Sequence, residues 1–220
     1  MRFFKQDRKL NLTYIFSEIL LLFIGINLAI WFNNWNSSRK INESKKIAIS
    51  KIIDEIDNNR LEIDSIIINN REILNAYRDF KEFYDGSTSI IKLESKDFSL
   101  LTNKYPNFFR VQDSVALDNG LYRYKGTTYI NLEITTLTEI AWKTTTTLNV
   151  NNEFSYECLY DLESMYNLQR RVQNEINKSA SALQKRDLEE LMHVLDFLDQ
   201  LSSQLQESYN AMLINIKNCS

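Results

Sequence analysis

The sequence predicts an all-α protein: an N-terminal transmembrane helix followed by an extramembrane antiparallel helical bundle with a loop-rich insertion. Three observations predict it. First, the 220 residues hold four glycines and one proline, and residues 26–85 and 127–220 contain neither. Sandwiches, barrels and doubly wound sheets need many turns, and turns need those residues. Second, Leu12 to Phe32 is an apolar run of 21 residues. As a helix rising about 1.5 Å per residue it spans about 31 Å, the thickness of a bilayer core. Third, Leu188, Leu191, Leu195, Leu198, Ser202, Leu205, Tyr209, Met212 and Ile216 alternate in steps of three and four. That is a two-in-seven apolar seam sustained over four heptads.

The elements follow in chain order. Residues 1–11 form a basic arm, expected to be cytoplasmic; its first ten carry +3 of a net charge of -3, leaving -6 on the rest. An acidic body argues against nucleic acid as a partner. Residues 12–35 are the transmembrane helix. The apolar run is too long for a signal peptide, and Trp31-Phe32-Asn33-Asn34-Trp35 stands where small residues would mark cleavage, so an uncleaved anchor is expected. Trp31 and Trp35 form an interfacial aromatic belt. Lysine and arginine counts on the two flanks nearly tie; the amino-terminal charge favours that end inside and the body outside.

Within the span, Glu18, Leu22, Gly25 and Ala29 share one helical stripe. Gly25-x-x-x-Ala29 permits close helix approach, and an intramembrane carboxylate either faces protein or water or snorkels to the interface. These four residues are the candidate helix-packing face in the membrane.

The run Ser17 to Asn36 resembles a bacterial family of single-pass membrane proteins of uncharacterised function. Its members show Gly-Glu-Ile, an aliphatic span with a central Gly-Ile, an Ala, and then Asn-Asn-Trp-Asn. The chain matches at Glu18, Ile19, Gly25, Ile26, Ala29 and Asn33, Asn34, Trp35 and Asn36, and departs at Ser17, where the family usually has Gly. A weaker similarity covers Ala141 to Thr146. The resemblance implies an anchor in the bacterial inner membrane, amino terminus in the cytoplasm, with a helical domain in the periplasm. It implies no reaction.

After the anchor, Ile52, Ile56, Ile63, Ile66, Ile73 and Phe80 recur at helical spacing, which predicts a long helix over 36–84, continuous with the span or broken near Asn33–Ser38. Residues 85–127 hold three of the four glycines and the proline, and predict the loop-rich insertion, with short helices or strands packed on the bundle. Ile90–Leu93 and Leu121–Tyr124 are its strand candidates. Residues 128–220 predict the rest of the bundle: one helix from Ile130 through Ile134, Leu137 and Ala141, a second through Leu162, Tyr166, Val172 and Ile176, and the seam helix last. Thr144–Thr147 weakens the first of these. Asparagine occurs 24 times, so a single Asn carries little weight as a signal.

Cys158 and Cys219 have no metal spacing. They form a disulfide in an oxidising compartment or stay unpaired; unpaired thiols are expected because Cys219 lies on a terminal tail. His193, the only histidine, falls off the seam and is expected on an exposed face. No zinc, phosphate-loop or nucleophile motif is present, and the acidic residues are interspersed with Lys and Arg as on solvated faces. The expectation is a membrane-anchored structural or interaction protein with no cofactor and no catalysis. Its partners are the lipid bilayer and a second copy or another membrane protein. The alternative is a single-pass sensor relaying through a partner, since about ten residues on the inner side leave little room for an output domain.

Overall fold

The computed structural model describes residues 12–219; the basic arm over 1–11 and Ser220 lie outside the described residues. The protein is mostly helical, with a small antiparallel sheet that the all-α expectation lacks. Its elements are α1 (Leu12–Lys81), β1 (Ile90–Glu94), α2 (Ser95–Lys104), β2 (Phe109–Ala116), β3 (Leu121–Thr128), α3 (Ile140–Thr147), α4 (Tyr156–Lys185) and α5 (Leu188–Asn215).

α1 runs unbroken for 70 residues, about 105 Å, so the span and the following helix are one element and the break near Asn33–Ser38 does not occur. Side-chain pairing on the helix surface offsets the poor helix propensity of Asn and Ser there. Asn27 donates to the Phe23 carbonyl (2.7 Å), Arg39 pairs with Glu43 one turn on (3.1 Å), and the Trp31 and Trp35 rings stack 6.4 Å apart. One helix of the described chain, α1 near its amino-terminal end, is long and apolar enough to cross a membrane.

From Ala48 onward α1 packs along α5, and α5 along α4. α5 runs antiparallel to α1, held by Arg71–Asp199 (2.6 Å), Arg78–Asp196 (2.5 Å) and Gln206 donating to Asp64 (2.5 Å). The heptad residues Leu191, Leu195, Leu198, Leu205, Tyr209, Met212 and Ile216 are buried and Leu188 is half-buried, so the seam closes inside the chain, and His193 is exposed. Ser202 is fully buried with no hydrogen-bond partner for its hydroxyl among the described residues, a tolerated core position.

The two cysteines are joined, which corrects the expectation of unpaired thiols. α4 and α5 are of nearly equal length and turn back on each other at Arg186, whose φ of 58° closes the turn. The start of α4 therefore meets the end of α5. A 3-10 turn over Ile216–Asn218 then folds Cys219 inward onto Cys158, so the tail does not fray.

The insertion is a three-stranded antiparallel sheet, order β1-β3-β2, plus α2. Both strand candidates are strands, and β2 is a third that the pattern did not reveal. Phe80 at the end of α1 meets Tyr105, Phe108 and Phe109, and Phe98 stacks on Tyr124 at 3.9 Å, so the aromatics seal the sheet against the bundle. Gly126 is required where β3 crosses β2. A Cβ there would lie 2.4 Å from the Arg110 carbonyl oxygen and 2.7 Å from the Phe109 ring.

The helix expected from Ile130 is not formed. α3 begins only at Ile140, and the residues preceding it have no regular secondary structure. Within α3, Thr145 and Thr146 hydroxyls bond back to the Ala141 and Trp142 carbonyls (2.8 and 3.2 Å), and the helix stops after two turns.

The seam gives a direct test. Leu195→Asp places an unpaired charge in the core, costing several kcal/mol of a domain's typical ~5–15 kcal/mol. His193→Asp on the exposed face shifts stability by about half a kcal/mol or less. Thermal melts followed by circular dichroism should separate the two widely; equal melting temperatures would reject the assignment of the seam to the core.

Candidate functional site

Residues 133–142 lie between α1 and α4, and the peptide groups of Glu133, Thr135, Leu137, Thr138, Ala141 and Trp142 are paired by side chains rather than by a neighbouring strand. Asn70 reads the peptide of Glu133 from both sides: its Oδ1 accepts from the Glu133 N–H (3.1 Å) and its Nδ2 donates to the Glu133 carbonyl (3.3 Å). Asn59 treats Thr138 in the same way, at 2.9 and 2.7 Å. From α4, Gln173 accepts from the Leu137 N–H (2.8 Å) and donates to the Thr135 carbonyl (3.3 Å), and Gln169 donates to the Thr138 carbonyl (2.8 Å).

The ladder ends on Glu55, buried on α1. Its carboxylate accepts from the Ala141 N–H (2.8 Å), the Trp142 N–H (3.4 Å) and the Tyr166 hydroxyl (2.7 Å). The first two are unpaired donors at the start of α3, so Glu55 caps that helix from across the core. Tyr209 on α5 donates to Gln169 (2.9 Å), which ties the third helix into the network. Burial first, and the Glu55 charge second, push both the Tyr166 and the Tyr209 hydroxyls well above the ordinary tyrosine range. Both therefore stay protonated and donate. None of Glu55, Asn59, Asn70, Gln169 and Gln173 is among the sequence candidates.

Toward the sheet the groove opens into a cleft of about 540 Å³ between α1, the Tyr105–Phe108 turn and residues 129–134. Beside it Asp79 takes hydrogen bonds from Lys104 (2.8 Å) and the Tyr105 hydroxyl (2.8 Å). Those two bonds, the lysine's first, hold the Asp79 carboxyl below its ordinary range.

The membrane candidates lie elsewhere. Glu18, Leu22, Gly25 and Ala29 are exposed on α1, and nothing stands within 4 Å of where a Gly25 side chain would begin. Trp31, Asn33, Asn34, Trp35 and Asn36 are exposed on the same helix. The most apolar window of α1 has a mean hydropathy of 2.2 and none of it is buried. The structure thus separates two regions: a bare apolar helix, and a body with an apolar core, a polar ladder and a cleft. Among the described residues no group of three or more His, Cys, Asp or Glu side chains is placed to hold a metal ion. No family model, no curated protein and no solved structure matches the chain.

The capping carboxylate is the testable centre of the ladder. Glu55→Ala leaves the Tyr166 hydroxyl and two helix-start N–H groups without an acceptor, at about 1–3 kcal/mol each. A loss of roughly 3 kcal/mol or more is expected by denaturant titration, against about half a kcal/mol or less for the exposed Glu43→Ala. Similar midpoints for the two variants would show that the network carries no weight.

Proposed function

We propose that this chain is a membrane-anchored interaction protein, working as a homo-oligomer or as the accessory subunit of a larger membrane assembly, and we assign it no reaction. The observation that carries the reading is the complete exposure of the apolar part of α1. None of the described residues of the body covers it. A helix of that length and hydropathy is stable in lipid, and the stripe of Glu18, Leu22, Gly25 and Ala29 supports a helix neighbour within the bilayer. The likeness of residues 17–36 to the single-pass family agrees with this.

The disulfide supports the orientation. Disulfides persist in oxidising compartments, so Cys158–Cys219 favours a body outside the cytoplasm and an amino terminus inside. The sensor reading has one observation in its favour, the lack of any break in α1, which couples the span rigidly to the body.

Two experiments test these statements. Native mass spectrometry in mild detergent should find a wild type heavier than one chain, with Gly25→Leu reduced to one chain and Leu20→Ala unchanged. A monomeric wild type with no co-purifying protein would sink the assembly reading. For orientation, a reporter active only outside the cytoplasm and fused after Ser220 should work, whereas activity from a cytoplasm-only reporter alone would reverse the orientation.

A further inference from the structure

We propose that the 540 Å³ cleft binds a small aliphatic amine, with Glu72 and Glu133 facing its ammonium group and the buried floor receiving its methylene chain. The inference is independent of the assembly reading, since the cleft belongs to the body alone. Its size falls within the 300–1,000 Å³ of ordinary small-molecule sites. The floor is apolar: Ile73, Ala76 and Phe108 are buried beneath it. The wall is polar and carries negative charge only. Glu72 and Glu133 line it, and no Lys, Arg or His does.

Two neighbouring cations are held by other carboxylates, and a third rests on an aromatic ring. Lys104 is bonded to Asp79 (2.8 Å), Arg71 is paired with Asp199 (2.6 Å), and the Arg110 guanidinium lies 4.0 Å over the Tyr129 ring. Neither Glu72 nor Glu133 forms an ion pair within the described residues, and a concave low-dielectric wall concentrates their field on whatever enters.

The polar groups are also under-used. Glu133 accepts from Ser65 (2.7 Å) and Asn69, which leaves part of the capacity of a carboxylate open. The side chains of Glu72, Asn107 and Asn131 make no hydrogen bond within the described residues, although all three line the cleft. An ammonium group has three donors and no acceptor, which matches a wall of carboxylate and amide oxygens. The Tyr105 and Tyr129 rings already carry Lys104 and Arg110 on them, and Phe108 adds apolar aromatic surface to the floor. The apolar floor selects an alkyl stem over a bare metal ion.

The test uses the full-length chain in nanodiscs of phosphatidylcholine, so that no anionic lipid competes, with cadaverine and spermidine as probes in isothermal titration calorimetry. Saturable binding of the amines is expected, weakened by added salt. Glu72→Gln should weaken it by about tenfold or more, the scale of a lost hydrogen bond to a charged group. Glu207→Gln, on the exposed face of α5, should leave it unchanged. Glu72 is exposed and bonds nothing, so the Glu72→Gln protein should melt with the wild type, and the loss is then one of binding rather than folding. Absence of saturable binding, equal affinity in Glu72→Gln, or binding of maltose in place of the amines would each overturn the proposal.

Discussion

The centre of the body depends on one requirement: a stretch of irregular backbone laid between two helices must find hydrogen-bond partners for the peptide groups it turns toward them. In a sheet the neighbouring strand supplies these. Here helices flank the segment, and their main-chain groups are used up internally. Side-chain amides on α1 and α4 take the strand's place, and they can do so because two rises agree. Asn59 and Asn70 are 11 residues apart on α1, about 16 Å at the helical rise, while Thr138 and Glu133 are five apart, about 16 Å at the extended rise. An amide presents a donor and an acceptor in one plane, the same pair that a peptide group presents, so each Asn closes a two-bond ring with the backbone it meets.

That arrangement accounts for the position of α3 and the placing of α4. The extended segment continues to Glu139, and the first N–H groups of α3 arrive at Glu55, which lies one helical turn before Asn59 on α1. Tyr166 and Gln169 lie three residues apart on α4 and meet Glu55 and Asn59, four apart on α1, so the two helices run in the same direction where these bonds form. At the membrane-facing end, Lys45 donates to the Glu153 carbonyl (2.7 Å), and the disulfide closes the α4–α5 hairpin. By the chain-entropy account, a loop of this size contributes about 4 kcal/mol through restriction of the unfolded chain.

Much of this was legible in the sequence, and the failures are specific. The heptad of α5, the apolar stripe of α1 and the span were read from spacing alone, and all are helices. The stripe on α1 also carried an unread signal. Ile52, Ile56, Ile63, Ile66 and Ile73 leave vacancies at 59 and 70 in a rhythm of three and four, and asparagine fills both. In a chain with 24 asparagines the composition hid the register. A polar residue at a core position of an amphipathic helix is a stronger sign than its frequency suggests, because burial obliges it to find a partner. The false helix over 130–139 came from the same source. Ile130, Ile134 and Leu137 have helical spacing, but the amides opposite them hold the backbone extended, and tertiary hydrogen bonding overrode the local period. β2 was missed because it is exposed on both faces beyond Phe109 and so shows no alternation.

The stretch of α1 between Trp35 and Ala48 touches little of the body, yet it sets the azimuth of the whole molecule. Because the helix is continuous, each residue added there would turn the body about 100° around the α1 axis and shift it about 1.5 Å along it. Seven added residues would shift it about 10 Å and turn it only about 20°. Length changes in this stalk are therefore not equivalent: seven or eleven added residues keep the bundle within about 20° of its facing relative to Gly25, whereas two swing it to the opposite side. The distance of the body along the α1 axis and the direction in which it faces are thus tied to one number, the count of residues between Trp35 and Ala48.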